Sequence, residues 1–314
     1  MAESRGNGGF DSFAALGDSF TEGLSDLRAD GSLRGWADRF AERAAEVRPG
    51  LRYANLAVRG KVLRELADEQ LPRALSMRPD LVSVAVGGND LLRPRADPDA
   101  LASAFDDVVR RLRQAGCQVI VFAGFDPGTF PVIRLIRGKA AVYNMHLRAI
   151  AARRDCHLVD LWAMSVLADP REWSLDRLHL SADGHRRVAL RACEVMGVPV
   201  DGMDWREPLP AVPRAAGWPA RPAAWLAARR MDARWVREHA APWVSRRLRG
   251  VSSGDGATAK RLELAPLNVG PPCPKSRDRV PAKVCDRGIH DLTTRWLIRT
   301  PGTCGTDSDS LRWV

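Results

Sequence analysis

Hydrophobic and polar positions along the first 200 residues switch repeatedly between short apolar runs and longer stretches with helical spacing. The apolar runs predict β-strands at Ser12–Gly17, Leu51–Ala57, Leu81–Val86, Cys117–Gly124 and Cys156–Leu161. The helical stretches predict α-helices at Gly35–Val47, Lys61–Leu75 (with a bend at Pro72), Asp99–Ala115, Gly138–Arg154 and Ala182–Met196. The third strand is β-branched and apolar on both faces, as a central parallel strand should be.

Five strands that are each followed by a helix predict an α/β fold. Right-handed crossovers place helices on both faces, so we expect a three-layer α/β/α sandwich around a five-stranded parallel sheet. The expected strand order is 2-1-3-4-5, as in flavodoxin-like proteins. In such a sheet, ligands bind at the carboxyl ends of the strands.

The pattern divides the chain into four parts. Residues 1–9 form a flexible N-terminus and residues 10–200 the α/β domain. Residues 201–250, rich in proline, tryptophan and arginine, predict a linker and two short helices. We interpret them as a basic appendage packed on the domain by its tryptophans, rather than a cap over the site or a surface for anionic lipid. Residues 251–314 have little periodicity, and we expect a mostly disordered tail.

Composition narrows the class of protein. A hydrophobic fraction of 45% with 27% charged residues is that of a soluble globular protein, and no apolar run is long enough to span a membrane. The first residues contain no apolar signal segment, so we expect a cytoplasmic location. The net charge of +10 comes almost entirely from arginines spread along the chain, with no basic–aromatic recognition motif. We therefore expect no nucleic-acid partner.

The six cysteines predict neither a metal site nor disulfides. No two form a Cys-x-x-Cys pair, and no export signal is seen. Cys117, Cys156 and Cys193 lie in or beside apolar stretches and are interpreted as small core residues.

Polar residues follow four of the predicted strands at their carboxyl ends. Ser19 follows the first strand, Gly60 the second, Asn89 the third, and Asp176 with His179 the fifth. Together they supply what acyl transfer needs. Ser19 would be the nucleophile, His179 the general base and acid, and Asp176 the residue that orients the imidazole. The N–H groups of Ser19 and Gly60 and the amide of Asn89 would form the oxyanion hole.

These residues lie in four ordered motif blocks, which are Gly17-Asp18-Ser19-Phe20, Asn55-Leu56-Ala57-Val58-Arg59-Gly60, Gly87-Gly88-Asn89-Asp90 and Asp176-Arg177-Leu178-His179. From about Phe13 to Val198 the sequence resembles the SGNH-hydrolase family, also called GDSL esterases and lipases. Phe20 replaces the leucine of the family name, at a position that does no chemistry.

The resemblance implies hydrolysis of esters or thioesters through a serine acyl-enzyme, without metal or cofactor. It also implies the roles given above for the five site residues, and the role of Gly60 depends mostly on it. The Gly-x-Ser-x-Gly elbow of ordinary α/β-hydrolases is absent around Ser19.

Other residues near the motifs are interpreted as structural. His185 is expected to pack or cap within the last helix, and His146 and His157 to be structural. Asp18 and Asp90 are expected to brace the loops of the site through hydrogen bonds to backbone.

The substrate is predicted only as a small ester with a short or medium acyl chain. The loops Gly23–Arg34 and Phe125–Ile136, with Phe125, Phe130 and Ile133, are expected to line the site. Lysophospholipase or thioesterase activity stays open, as does a non-catalytic protein that contacts membrane surfaces through the tryptophan-rich segment. A flavodoxin-like flavin or nucleotide binder is disfavoured, because Asp18 and Glu22 would repel phosphate after the first strand. Nothing in the sequence indicates the oligomeric state.

Overall fold

The computed structural model describes residues 9–130, 133–200, 202–211, 237 and 254–267. The chain divides into two compact units, Met1–Pro272 and Cys273–Val314. All described residues belong to the first unit. Residues 1–8 of the predicted flexible N-terminus 1–9, the predicted helices of the appendage and most of the predicted tail lie outside the described residues.

The described strands form one sheet of six, in the order β5-β4-β3-β1-β2-β6. Their bounds are Ser12–Gly17 for β1, Arg52–Asn55 for β2, Leu81–Ala85 for β3, Gln118–Ala123 for β4, His157–Asp160 for β5 and Arg261–Pro266 for β6. The first five strands are parallel, with β1 in register between β2 and β3. The predicted strand order 2-1-3-4-5 is confirmed.

Strand β6 corrects two predictions. It pairs antiparallel with β2 and makes the sheet six-stranded instead of five-stranded. It also lies within the segment predicted to be disordered, so that prediction is wrong for Arg261–Pro266. The strand alternates polar and apolar residues at an exposed edge, where burial is partial and the hydrophobic signal is weak.

Eight α-helical segments are described, in the order of the chain. Their bounds are Ser19–Glu22 for α1, Gly35–Val47 for α2, Leu63–Glu65 for α3, Leu71–Met77 for α4, Gly88–Leu91 for α5, Pro98–Gln114 for α6, Arg137–Arg153 for α7 and Ala182–Met196 for α8. The π-helical turn Leu66–Gln70 joins α3 to α4, where the sequence predicts one bent helix. Shorter 3₁₀ turns occur at Pro127–Thr129, Ile133–Ile136, Ser165–Ala168 and Pro170–Glu172.

Two hydrophobic cores cover the two faces of the sheet. Alternation along β1 sends Phe13 and Ala15 into one core and Ala14 and Leu16 into the other. The first core contains the apolar faces of α2 and α8, and the second contains those of α3, α4, α6 and α7. The three-layer α/β/α architecture predicted from the sequence is confirmed.

The start of the linker packs on the domain. Trp205 is buried in the first core, and its indole N–H donates to a Glu194 carboxylate oxygen at 2.6 Å. The Arg187 guanidinium donates to the carbonyl of Trp205 at 2.8 Å. Trp205 is therefore held against α8.

The cysteines agree with their interpretation where they are described. Cys117 and Cys193 are buried, Cys156 is half-buried, and all three are free thiols. The other three cysteines lie outside the described residues.

The end of α1 and the start of α2 meet at two glycines. Gly23 and Gly35 both have positive φ, and a β-carbon on Gly35 would lie 2.4 Å from the Gly23 Cα. A side chain cannot be accommodated there unless backbone moves.

We predict that Gly35→Ala lowers the free energy of unfolding by about 3 kcal/mol or more, since steric overlap adds to the cost of a left-handed alanine. Gly50→Ala is the matched control, because Gly50 also has positive φ but has open space around it. It should cost only about 1–2 kcal/mol. Urea unfolding measures both, and equal losses would contradict the steric account.

Candidate active site

Strand β1 delivers Ser19 to the carboxyl edge of the sheet. The strand ends at Gly17, and Asp18 caps α1 by accepting a hydrogen bond from the Phe20 N–H at 3.0 Å. Ser19 is the first residue of α1, so its side chain lies immediately beyond the strand end.

Three side chains predicted from the sequence form a continuous hydrogen-bonded chain. The Ser19 Oγ lies 3.0 Å from the His179 Nε2, and the His179 Nδ1 lies 2.6 Å from the Asp176 Oδ2. The other carboxylate oxygen of Asp176 accepts from the Ser174 hydroxyl at 2.5 Å and from the N–H groups of Leu178 and His179. This geometry can remove a proton from the serine hydroxyl and stabilise the resulting imidazolium.

The loop that carries Asp176 and His179 is closed at its base. Trp173 and Leu180 form an antiparallel bridge, and the Ser174 N–H donates to the His179 carbonyl at 2.9 Å. The Trp173 indole N–H donates to the Leu167 carbonyl at 2.7 Å. The His179 imidazole therefore lies on a short loop whose base is closed by hydrogen bonds.

His185 is excluded from the catalytic role by its contacts. Its Nδ1 accepts from the Trp36 N–H at 3.2 Å, and its Nε2 lies 3.1 Å from the Leu24 carbonyl, to which it donates. Burial lowers the pKa of His185 to about 4, so the ring is neutral at physiological pH. The prediction that His185 packs or caps is confirmed, since the ring is buried and both nitrogens bond to backbone groups.

The predicted oxyanion donors line the same cavity as Ser19, the predicted nucleophile. Ser19, Gly60, Asn89 and His179 are all part of its wall. Within the described residues, the N–H groups of Ser19 and Gly60 have no backbone acceptor. The Asn89 Nδ2 donates to the Asp18 Oδ2 at 3.2 Å and to the Lys61 carbonyl at 3.0 Å. An oxyanion would compete with the longer of these two bonds.

The two aspartates near Ser19 have opposite electrostatic environments. Burial raises the pKa of Asp18 to about 6, despite the Phe20 hydrogen bond and the proximity of His179. Burial also acts on Asp176, but the hydrogen bond and charge of His179 outweigh it and hold the pKa of Asp176 well below its usual value. Asp176 is thus kept ionised, which is what its predicted orienting role requires.

Asp90 braces a loop as predicted. Its carboxylate accepts from the Leu63 N–H at 3.1 Å, at the start of α3. Asp18 also bonds to backbone, and in addition holds the amide of Asn89.

Two further polar groups support the site and carry no signal in the sequence. The buried Gln70 side chain accepts from the Gly17 N–H and donates to the Gly17 carbonyl, both at 2.9 Å. The π-helical turn that ends at Gln70 belongs to a class often found at functional sites. The buried Glu22 carboxylate accepts from the Arg59 N–H at 2.7 Å and pairs with its guanidinium at 2.6 Å. Both bonds join residues far apart in the chain.

A mostly apolar cavity of about 410 Å³ adjoins Ser19. Both loops predicted to line the site contribute to it, through Leu24 from the first and Phe125 and Ile133 from the second. Phe130, also predicted, packs behind this wall against Phe125 and Trp173. The second loop also contributes Ile136, and side chains from the helices and strands complete the wall, among them Phe122, Ala140, Tyr143 and Leu147.

Comparison with known families decides how this geometry is classified. The sequence profile of the GDSL-like lipase/acylhydrolase family matches residues 15–187, more than half of the chain. This chain belongs to that family. It is therefore an SGNH-type carboxylic ester hydrolase. This membership argues against the two alternatives considered from the sequence, a flavin or nucleotide binder and a non-catalytic protein.

Solved structures show the same fold as this hydrolase. TesA aligns with a TM-score of 0.50 at 21% identity, over 59% of this chain and 97% of its own. A variant of Axe2, an acetyl xylan esterase from Geobacillus stearothermophilus, aligns with a TM-score of 0.52 at 18% identity, over 62% of this chain and 98% of its own. LAE5, an alpha/beta hydrolase from the metagenome of Lake Arreo in Spain, aligns with a TM-score of 0.50 at 20% identity, over 60% and 95%. No curated protein matches the sequence of the hydrolase.

The described residues include neither a helix that could span a bilayer nor a metal-binding cluster. None of their helices is both long enough and apolar enough to cross a bilayer. No group of three His, Cys, Asp or Glu side chains among them is arranged to hold a metal ion.

The raised pKa of Asp18 predicts a pH-dependent cost in stability. The folded state holds its proton up to about pH 6, whereas the unfolded chain releases it near 3.8, so stability falls as the pH rises between these values. Relative to wild type, Asp18→Asn should gain about 2–3 kcal/mol between pH 4 and pH 7.5, on top of any constant effect of the substitution. Urea unfolding at both pH values measures this difference.

Asp30→Asn is the control, because Asp30 is exposed and its hydrogen bonds to Ser32 lower its pKa instead of raising it. It should show no gain with rising pH. A flat difference for Asp18→Asn would contradict the assignment.

Proposed function

We propose that the protein is a serine esterase that hydrolyses carboxylic esters of short to medium acyl chains through an acyl-serine intermediate. One observation carries the proposal. Ser19, His179 and Asp176 form a continuous hydrogen-bonded chain, and Ser19, at one end of that chain, lies in the wall of an apolar cavity.

In the first half of the reaction, the Ser19 Oγ attacks the ester carbonyl carbon. The His179 Nε2 takes the hydroxyl proton, and the carbonyl electron pair moves onto oxygen. Collapse of the tetrahedral intermediate breaks the bond to the alcohol oxygen, which leaves with the proton from His179. Asp176 stays ionised and holds the imidazolium through the Nδ1 hydrogen bond.

In the second half, water replaces the alcohol. His179 takes a proton from the water as it attacks the acyl carbon, and then returns the proton to the Ser19 oxygen as the acid leaves. No further group needs to change its protonation state.

Negative charge develops on the carbonyl oxygen in both halves. The N–H groups of Ser19 and Gly60 and the amide of Asn89 are the proposed donors, and each is worth about 3–4 kcal/mol of transition-state stabilisation. For Asn89 this requires that its Nδ2 give up or share the bond to Asp18.

The cavity supports an acyl chain as the buried part of the substrate. A volume of about 410 Å³ lies within the usual range for small-molecule sites, and its wall is mostly apolar. Lysophospholipase and thioesterase substrates present the same acyl carbonyl, so chain length and leaving group separate these alternatives from a simple esterase.

We predict that wild type hydrolyses p-nitrophenyl esters, with the highest kcat/KM among acetate to octanoate in a series that runs to palmitate. Ser19→Ala should lose about a thousandfold or more of this activity, because the nucleophile is gone. His146→Gln is the control variant, because His146 lies on the surface, paired with Asp99 and outside the cavity wall. It should retain full activity. Activity that survives in Ser19→Ala would contradict the proposal, and a maximum at palmitate would favour a lipase.

Asn89→Ala should lower kcat about 100- to 1000-fold with little change in KM, as expected for a donor used mainly in the transition state. Steady-state kinetics on the best ester of the series measures this split. A raised KM with unchanged kcat would assign Asn89 to substrate binding instead.

A further inference from the structure

A segment beyond the family match lies directly against the catalytic loops. Residues 254–267, here called the C-terminal strap, include β6 and follow residues 15–187 by a long interval. Along β2 the strap is held by strand pairing, by the Leu267 N–H donating to the Leu51 carbonyl at 2.9 Å, and by Arg261 over the Tyr53 ring. Its first half reaches the site itself.

Gly254 packs on the peptide that would supply an oxyanion donor. A β-carbon on Gly254 would lie 2.0 Å from the Arg59 carbonyl oxygen, so the strap and this carbonyl are already in close contact. The same planar peptide unit carries the Gly60 N–H, which points in the opposite direction from the Arg59 carbonyl. The position of the Arg59 carbonyl therefore determines the direction in which the Gly60 N–H points.

Lys260 holds the helix that carries the nucleophile. Its Nζ donates to the Glu22 carbonyl, at the end of α1, at 2.6 Å and to the Arg34 carbonyl, just before α2, at 2.9 Å. It also pairs with the buried carboxylate of Asp38 in α2. A single ammonium group thus ties the end of α1 to the start of α2.

These contacts converge on one functional unit. Glu22, whose carbonyl Lys260 binds, also holds Arg59 through its carboxylate. We propose that the C-terminal strap positions the oxyanion hole, with Gly254 fixing the peptide plane between Arg59 and Gly60 and Lys260 fixing α1. Both are positioning residues, and the inference rests on the proposed esterase function.

The first test compares two glycines of the same turn. Gly254→Ala must push on the Arg59 carbonyl, whereas Gly256→Ala meets open space and adds only the cost of its positive φ. We expect Gly254→Ala to lower kcat for the best p-nitrophenyl ester by about 10- to 100-fold with KM within about twofold, since a misaligned donor weakens only transition-state binding. Gly256→Ala should lose stability but keep its kcat.

The second test separates positioning from stability at Lys260. Lys260→Met leaves the Asp38 charge buried and unpaired, so it should lose both stability and kcat. The double variant Lys260→Met with Asp38→Asn removes that charge and should recover most of the urea midpoint, while kcat stays at least about tenfold low. Full recovery of kcat together with stability would show a merely structural role and overturn the inference for Lys260.

Amide hydrogen–deuterium exchange measures the order of the site loops without any ester substrate, so it tests the strap separately from the proposed function. Hydrogen–deuterium exchange of the amides in residues 58–62 should be faster in Gly254→Ala than in Gly256→Ala. Exchange of the amides in residues 19–24 should be faster in Lys260→Met than in Arg261→Met. If wild type hydrolysed no ester, the proposed function would fail, and these exchange rates would still decide whether the strap orders the loops. Equal exchange within each pair, or equal kcat in the two glycine variants, would overturn the inference.

Discussion

A helix of a single turn carries the proposed nucleophile, and such a helix cannot hold its own position. α1 has four residues, far fewer than an isolated helix needs to be stable in water. Its geometry is therefore imposed by its surroundings. Asp18 caps its start, Glu22 anchors its end to Arg59, and Lys260 binds the Glu22 carbonyl. The placement of Ser19 against His179 depends on contacts that reach across most of the chain.

The charge states of the two carboxylates near Ser19, Asp18 and Asp176, depend on how many hydrogen bonds each one accepts. Asp176 accepts four hydrogen bonds, two of them from the backbone N–H and the ring Nδ1 of His179, and remains ionised. Asp18 is buried with fewer compensating donors, so its charge at neutral pH reduces stability. A buried carboxylate that lowers stability is expected where function requires a group that folding does not favour. The Asp18 carboxylate accepts a hydrogen bond from the amide of Asn89, the proposed oxyanion donor.

The sequence predicted best what depends on local pattern. β1 ends where predicted because an apolar run meets Gly17, and α8 begins after Ser181 because its hydroxyl accepts from the Gly184 N–H. The motif blocks led to the five site residues, which the structure brings to one sheet edge and whose roles stay predictions. Gln70 and Lys260 were missed, because a buried bond to a residue far along the chain leaves no local periodicity. β6 was missed because an edge strand buries too little to need an apolar run.

The central claim is that acyl transfer proceeds through Ser19, and intact mass spectrometry of the protein mixed with a p-nitrophenyl ester tests it most directly. We expect a rapid mass increase of one acyl group, and digestion of the labelled protein should place it on the peptide that contains Ser19. The label should be absent from Ser19→Ala. In His179→Ala, once formed, it should persist longer than in wild type. Acylation at another residue, or full turnover with no label at Ser19 on any timescale, would contradict it.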